Sequence, residues 1–395
     1  MARPPVEVAD IFRRYGPLYR ARHRLPPHQL KLMRAIENCR TAALGGHVER
    51  CGHCHYQRIC YNSCRNRHCP KCQNLARAQW VEQRKRELLP VDYFHVVFTL
   101  PAELHPLALS NRRTLYRILF QTSAETLDTI ARDPKHLGAQ IGFFSILHTW
   151  GQNLLFHPHL HCVVTGGGWN AAQQRWIACR RGFFLSVRVL SRLFRRLFRQ
   201  ALLKAFEKQE LQFPKNIAAL ADEGAFQRLL TALGAKEWVV YAKAPFAGPQ
   251  KVIDYLGRYT HRVAISNHRL LAFDADRIRF RYKQYRSNNR HRQRHMTLGA
   301  EEFIRRFLLH ALPHGFQRIR HYGLLASSRK KTLLPLCRQS LHAIPPQQSP
   351  AGDDAPAGKL IAELERCPVC RTGRMFRIQT LPGQPPPAPG RMDSS

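Results

Sequence analysis

The sequence has few acidic residues and no long run of apolar residues. Its 26 aspartates and glutamates stand against 63 lysines and arginines, which gives a formal net charge of +37. Such an imbalance causes self-repulsion unless a polyanion relieves it, so nucleic acid is favoured as a partner over a membrane surface or an acidic protein. No apolar run approaches the length of a membrane span, and residues 1–5 hold no apolar signal core. We therefore expect a cytoplasmic protein with no membrane partner.

The sequence also lacks a glycine loop that could cradle phosphates. The triple glycine at 166–168 is not followed by the lysine that such a loop requires, so we expect no nucleotide cofactor. Disulfides are not expected either, because the cytosol is reducing. The 12 cysteines therefore predict metal ligands or buried thiols.

Seven of the cysteines fall within residues 39–72, together with several histidines. Two knuckles, Cys51-Gly-His-Cys54 and Cys69-Pro-Lys-Cys72, each direct two sulfurs toward one point, and two such turns can complete a tetrahedral zinc site. The interval between them is typical of a zinc ribbon, which predicts a structural Zn²⁺ held by all four thiolates. The alternative is a set of reduced thiols with no metal.

A second structural zinc site is predicted from the ligands that bracket the first set, with Cys60 as a rival ligand. Its four members are Cys39, His47, Cys64 and His68. Near the C-terminus, Cys367-Pro-Val-Cys370 forms a further knuckle, for which the sequence offers no obvious second pair. We expect this knuckle to be a short separate tail.

Strand and helix patterns alternate in the middle of the chain. Strands are predicted at 93–99, 141–148, 154–165 and 238–243, and helices at 103–132 and 185–206. The order strand, helix, strand, strand, helix, strand is that of the split βαβ, ferredoxin-like arrangement. The fold class predicted for the chain is therefore α+β.

The third predicted strand contains His157-Pro-His-Leu-His161. Side chains alternate across a strand, so His157, His159 and His161 should share one face, where imidazoles can converge on a metal ion. The alternative is a strand edge at which several of the 21 histidines happen to fall.

Tyr255 and Tyr259 are four residues apart, so they would share a face on a helix. Tyrosines at this spacing are more often packing residues than nucleophiles. The neighbouring cations Lys251, Arg258 and Arg262 nevertheless form a patch suited to a phosphodiester.

Seven arginines and Lys283 are interleaved with Tyr282 and Tyr285 along residues 277–294, the first part of which has strand periodicity. Arginine and lysine can follow a phosphate backbone, while tyrosine rings can stack on bases. The pattern is typical of a groove that binds single-stranded nucleic acid.

Several motifs are similar to those of a known family, and together they span roughly residues 28–326. They are Cys39-Arg-Thr, Gly45-Gly-His47, Tyr61-Asn-Ser-Cys-Arg-Asn-Arg-His-Cys-Pro-Lys-Cys72, Phe156-His-Pro-His-Leu-His161, Tyr255-Leu-Gly-Arg-Tyr259, Phe303-Ile-Arg-Arg-Phe307 and Ile319-Arg-His-Tyr-Gly323. With these motifs the chain resembles the two-tyrosine rolling-circle transposases of bacterial insertion sequences, members of the HUH endonuclease superfamily.

The resemblance implies an HUH nuclease core that nicks and rejoins single-stranded DNA at element ends and targets. It implies that His159 and His161 hold a catalytic Mg²⁺ or Mn²⁺, that His157 is the candidate third ligand, and that Tyr255 and Tyr259 form 5′-phosphotyrosine bonds. The domains expected are a zinc-binding region at 1–88, a catalytic domain at 89–326, and a linker, knuckle and tail at 327–395. The alternatives are a replication initiator or relaxase with the same chemistry, and a non-catalytic zinc-ribbon protein that binds nucleic acid.

Overall fold

The computed structural model describes residues 6–72, 74–180, 184–243, 257, 264–285, 291–342, 363 and 365–384. The described residues form two compact units, and both units are discontinuous in sequence. Unit 1 takes its residues from 1–82, 261–311 and 348–395, and unit 2 takes them from 83–260 and 312–347. The sequence, in contrast, predicts three contiguous domains.

Unit 1 contains two small antiparallel sheets and a group of helices. Its helices are α1 (Val8–Arg22), α2 (Pro27–Glu37) and α8 (Ala300–Leu309), with α3 (Asn74–Arg86) beginning in it. Its strands are β1 (Gly46–Cys51), β2 (Gln57–Tyr61), β8 (Leu270–Asp274), β9 (Arg277–Tyr285), β10 (His291–Gly299) and β12 (Met375–Leu381).

The helices of unit 1 pack through aromatic side chains. Phe12 of α1 meets Phe307 of α8 edge to face, with ring centroids 5.2 Å apart, and both side chains are buried. Such a pair is a favourable geometry for aromatic rings. The sheets are ordered β12-β1-β2 and β10-β9-β8, so the C-terminal strand β12 lies beside the N-terminal strand β1.

Unit 2 is a six-stranded sheet with helices. Its strands are β3 (Tyr93–Thr99), β4 (Gln140–Trp150), β5 (Phe156–Asn170), β6 (Arg175–Ala178), β7 (Val240–Lys243) and β11 (Ile319–Gly323). Its helices are α4 (His105–Ser110), α5 (Arg112–Arg132), α6 (Val187–Glu207), α7 (Glu223–Ala235) and α9 (Lys330–Ser340). The four predicted strands are present, and the predicted helices are present with α4 and α5 in place of one continuous helix.

The large sheet has the order β11-β4-β5-β3-β7, with β6 paired to β5, and its neighbouring strands run antiparallel. One face of the sheet is apolar. Leu160 of β5 lies between Leu147 of β4 and Phe98 of β3, and all three are fully buried. Phe98 contacts Phe194 of α6, which covers this face. Burial of such side chains is the main source of stability of the sheet.

No helix of the described residues is long and apolar enough to cross a lipid bilayer.

Candidate metal centres

Strand register brings three histidines together on the large sheet. His148 of β4 is the direct cross-strand partner of His159 of β5, and His161 lies two residues further along β5. Residues two apart on a strand share a face, opposite to the one that carries Leu160. The ligand nitrogens of the three rings all lie within 4.8 Å of one another. We call this group the histidine cluster.

The spacing of the histidine cluster fits one metal ion. The Nε2 atoms of His159 and His161 are 3.1 Å apart. Two nitrogen ligands about 2.1 Å from one ion and at right angles to each other would be about 3.0 Å apart. Among the described residues the cluster contains no carboxylate, so its ligand set is neutral.

Hydrogen bonds orient two of the rings. The Nδ1 of His159 lies 2.7 Å from the main-chain oxygen of His157, which can only accept, so Nδ1–H donates and Nε2 keeps its lone pair for the cluster. The Nδ1 of His161 lies 2.7 Å from Nε2 of His95, on β3. Contacts of this kind commonly set the tautomer of metal-binding histidines. His95 is therefore a positioning residue for His161.

Burial favours the uncharged form of two rings of the cluster, His159 and His161. It lowers the pKa of His159 to about 4, with a smaller lowering by repulsion from neighbouring His157. Burial also lowers the pKa of His161 well below its usual range, with further lowering by His148 and His159. For His95, burial and then the charge of Lys243 lower the pKa to about 4. Neutral imidazole is the form that binds a metal ion.

His157 does not join the cluster, contrary to the prediction of a third ligand at that position. On β4, His148 faces His159 and Trp150 faces Phe156 of β5. One residue of β4 therefore lies opposite two residues of β5, His157 and Pro158, which form a bulge. A bulge interrupts the alternation of side chains, and Pro158 cannot donate to the ladder. The ring of His157 packs edge to face with His105 and lies tilted against the ring of His159, with centroids 6.0 and 5.1 Å away respectively, and its nitrogens are not part of the cluster.

Sequence reasoning missed His148 and His95 as members of the site. His148 ends a predicted strand, and a short connection to the next strand would have placed it near the paired histidines. His95 lies in the middle of an apolar strand and carries no local signal.

The first cysteine group consists of Cys39, Cys64, Cys69 and Cys72, whose sulfurs lie within 4.8 Å of one another. The Sγ of Cys72 is 3.3 Å from that of Cys39 and 3.5 Å from that of Cys64. Four sulfurs about 2.3 Å from one zinc ion at tetrahedral angles would be about 3.8 Å apart. The group therefore fits a tetrathiolate zinc site. We call it the first cysteine tetrad.

The second cysteine group consists of Cys51, Cys54, Cys367 and Cys370. It corrects the prediction that the knuckle at 51–54 pairs with the knuckle at 69–72, and that the knuckle at 367–370 stands alone. The reason lies in the sheet, since β1 leads into Cys51 and pairs with β12, which follows Cys370. We call this group the second cysteine tetrad.

His47, His68 and Cys60 lie outside both tetrads, so the prediction of His47 and His68 as partners of Cys39 and Cys64 is wrong. The Nε2 of His47 is 3.1 Å from Glu49, and the sulfur of Cys60 is 3.3 Å from the same carboxylate. Arg58 binds this carboxylate as well, at 2.7 Å, so a guanidinium neutralises it. His68 contacts Asn66 through Nδ1, at 3.0 Å.

The predicted nucleophiles and the cations beside them lie outside the described residues. These are Tyr255, Tyr259, Lys251, Arg258 and Arg262.

A row of basic side chains follows one face of β9. Its members, Arg277, Arg279, Arg281 and Lys283, are exposed at every second position. Ile278 and Phe280, at the positions between, are fully buried. The alternation gives β9 one apolar face and one cationic face, which suits phosphate contacts. We call the exposed row the β9 basic row.

Two family models match the chain. One described as "Transposase zinc-binding domain" matches residues 11–100, and one described as "Putative transposase" matches residues 142–332. A protein of Sinorhizobium fredii (strain NBRC 101917 / NGR234), "Putative transposase y4qJ", is 55% identical over 393 residues, which is 97% of each chain. The "Transposase for insertion sequence element IS801" of Pseudomonas savastanoi pv. phaseolicola is 31% identical over 337 residues, 84% of this chain and 79% of the relative.

The chain belongs to this family of insertion-sequence transposases. The first tetrad falls within the zinc-binding match, and the histidine cluster falls within the second match. The transposase thus carries a zinc-binding domain at its N-terminal side, as the sequence predicts. No solved structure matches the chain.

Proposed function

We propose that this transposase nicks and rejoins single-stranded DNA at element ends through a 5′-phosphotyrosine intermediate. The observation that carries the proposal is the histidine cluster, three imidazoles brought together on neighbouring strands of the large sheet. The strand order β4-β5-β3-β7, with all neighbours antiparallel, supports a ferredoxin-like HUH core.

In this proposal His148, His159 and His161 hold a divalent cation, Mg²⁺ or Mn²⁺. Imidazoles accept Mn²⁺ more readily than Mg²⁺, and either ion would take further oxygen ligands from DNA and water. A bound cation would polarise the scissile phosphate and neutralise charge that develops in the in-line transition state. His95 and the main-chain oxygen of His157 keep the ligand rings in place.

The proposed nucleophiles are Tyr255 and Tyr259, which fall within the stretch that matches the transposase family. One hydroxyl loses its proton and bonds to the phosphorus, and the bond from phosphorus to the 3′ oxygen breaks. The 3′ oxygen leaves as a hydroxyl. A new 3′-hydroxyl later attacks the phosphotyrosine and releases the tyrosine, so the energy of the bond is conserved without a nucleotide cofactor.

The test uses the purified full chain with labelled single-stranded oligonucleotides from the ends of its element. In the presence of Mn²⁺ or Mg²⁺ we expect a covalent protein–DNA adduct that survives denaturation and carries a label placed on the 3′ side of the cut, because that fragment keeps the 5′ phosphate. A label on the 5′ side should leave with the free 3′-hydroxyl fragment. The double variant Tyr255→Phe/Tyr259→Phe should form no adduct, because phenylalanine has no hydroxyl.

His159→Ala should still bind the oligonucleotide, because the rest of the basic surface remains, but it should not cut it. An adduct formed by the double tyrosine variant would refute the nucleophile assignment. Cleavage by the parent protein in excess chelator would refute the role of the cation.

A further inference from the structure

The second cysteine tetrad combines two stretches from opposite ends of the chain. The sulfur of Cys51 lies 3.7 Å from that of Cys370, and the sulfur of Cys54 lies 3.6 Å from that of Cys367. Both distances agree with the edge of about 3.8 Å expected for four thiolates around zinc. They are far longer than the bond of about 2.05 Å in a disulfide.

Both knuckles of this tetrad direct backbone amides at a sulfur. The amides of His53 and Cys54 point at the sulfur of Cys51, at 3.3 and 3.4 Å, and the amide of Gly373 points at the sulfur of Cys370, at 3.3 Å. Amides directed at sulfur stabilise the negative charge of a thiolate, which is the form that binds a metal.

The main-chain turn that follows each pair of cysteines has the same form in both knuckles. His55 donates to the oxygen of Cys51 and Arg371 donates to the oxygen of Cys367, at 3.2 and 3.0 Å. Both residues have positive φ, 56° and 59° respectively. This conformation is uncommon for residues other than glycine. Two knuckles of matching shape that face each other are the arrangement of a zinc ribbon.

The C-terminal stretch has almost no apolar core that could hold it in place otherwise. Within residues 365–384 only Cys367 and Met375 are buried, and they pack with Cys51. Phe376 and Ile378, in contrast, are 57% and 45% exposed. Pairing of β12 with β1 adds hydrogen bonds, but a hydrogen bond exchanged with water stabilises by only about 1 kcal/mol. A metal can supply the missing folding free energy.

Gly373 lies in close contact with the knuckle at 51–54. A Cβ atom at this position would lie 2.5 Å from the sulfur of Cys51 and 2.7 Å from the Cβ of His53. Any side chain there would push the knuckles apart.

We infer that Cys51, Cys54, Cys367 and Cys370 bind a second structural zinc ion, which fastens residues 365–384 to the β1–β2 hairpin. The matched zinc-binding domain ends at residue 100 and so contains only half of these ligands. The zinc module of this transposase is therefore completed by its C-terminal knuckle, and β12 is a strand of that module.

Zinc content tests the inference directly. The full chain, purified without added metal or chelator, should contain about two zinc ions by elemental analysis, one per set of four thiolates. The variant Cys367→Ser/Cys370→Ser should contain about one. Cys179→Ser removes a cysteine outside both tetrads and should retain about two. One zinc in the parent protein, or no loss in the double variant, would overturn the inference.

Hydrogen exchange on the unmutated chain provides a test that requires no variant. Removal of zinc by a chelator should raise amide exchange in residues 365–384, and re-addition of zinc should restore protection. Amides of β4 and β5 should be unaffected in the same sample. Exchange in 365–384 that stays unchanged after all zinc has been removed would overturn the inference.

Discussion

At the scale of single residues, the histidine cluster depends on where each imidazole nitrogen points. His159 is oriented by a main-chain oxygen and His161 by the ring of His95. The hydrogen bond from His159 depends on no side chain other than its own, because the acceptor is the main-chain oxygen of His157. His157 therefore contributes to the site through its carbonyl, while His148 contributes through its ring.

This difference leads to a prediction with a built-in control. His148→Ala should weaken Mn²⁺ binding and lower DNA cleavage by more than about 100-fold, because loss of a ligand costs more than the tenfold to 100-fold loss typical of an outer contact. Metal affinity is measured by titration of cleavage with Mn²⁺.

The control is His157→Ala, which keeps the main-chain oxygen that accepts from His159. It should retain metal affinity and cleavage close to those of the parent protein. If His157→Ala lost metal affinity and cleavage as fully as His148→Ala, the conclusion that the ring of His157 is not a ligand would be wrong.

At the scale of single elements, β9 divides its two faces between core and solvent. Ile278 and Phe280 are fully buried, and Phe280 packs against Phe303 of α8, with ring centroids 6.2 Å apart. The core fixes the strand, so the basic residues between these positions all leave from its exposed face. Cations that leave from one face of a strand can contact successive phosphates of one DNA strand.

The β9 basic row should contribute to DNA binding. Arg279→Ala/Arg281→Ala should reduce the slope of log K against log salt by up to about 1.4, because each phosphate contact on a single strand contributes about 0.7. Fluorescence anisotropy with a labelled oligonucleotide at several salt concentrations measures the slope.

The control is the double variant Lys208→Ala/Arg228→Ala. It removes the same two positive charges from exposed positions at the end of α6 and on α7. The two double variants therefore differ in position and not in net charge. Equal slopes for the two would show that only overall charge matters and would contradict a role for β9.

At the scale of the whole molecule, the two units differ in the interactions that stabilise the fold of each. Unit 2 has a broad apolar core, in which Leu147, Leu160 and Phe194 are fully buried. The stretch 39–72 of unit 1 buries few large apolar side chains and has cysteine groups in their place. Metal binding supplies folding free energy where apolar burial is small.

Metal removal should therefore affect the units unequally. A zinc chelator should expose the amides of residues 39–72, while the amides of β4 and β5 in unit 2 remain protected in the same sample. Hydrogen exchange followed by peptide mass spectrometry measures both regions at once. Global unfolding of both units by the chelator would contradict a metal-independent core in unit 2.

Much of the architecture could be predicted from the sequence because the relevant signals are local. Strands such as 93–99 and helices such as α6 follow from the period of their apolar residues. A knuckle is also local, since two cysteines three positions apart direct their sulfurs to one point whatever surrounds them. The pair His159 and His161 follows from the alternation of side chains along one strand.

The sequence by itself thus determined the basic charge, the types of element and the short ligand pairs. Only the tertiary structure decided which pairs complete each other. Any two knuckles can supply the four sulfurs of a tetrahedral zinc site. Cys367 becomes a partner of Cys54, 313 positions away, because β12 pairs with β1. His148 likewise becomes the third member of the cluster through strand register and a bulge, because a short connection brings β4 and β5 together without specifying which residues face each other.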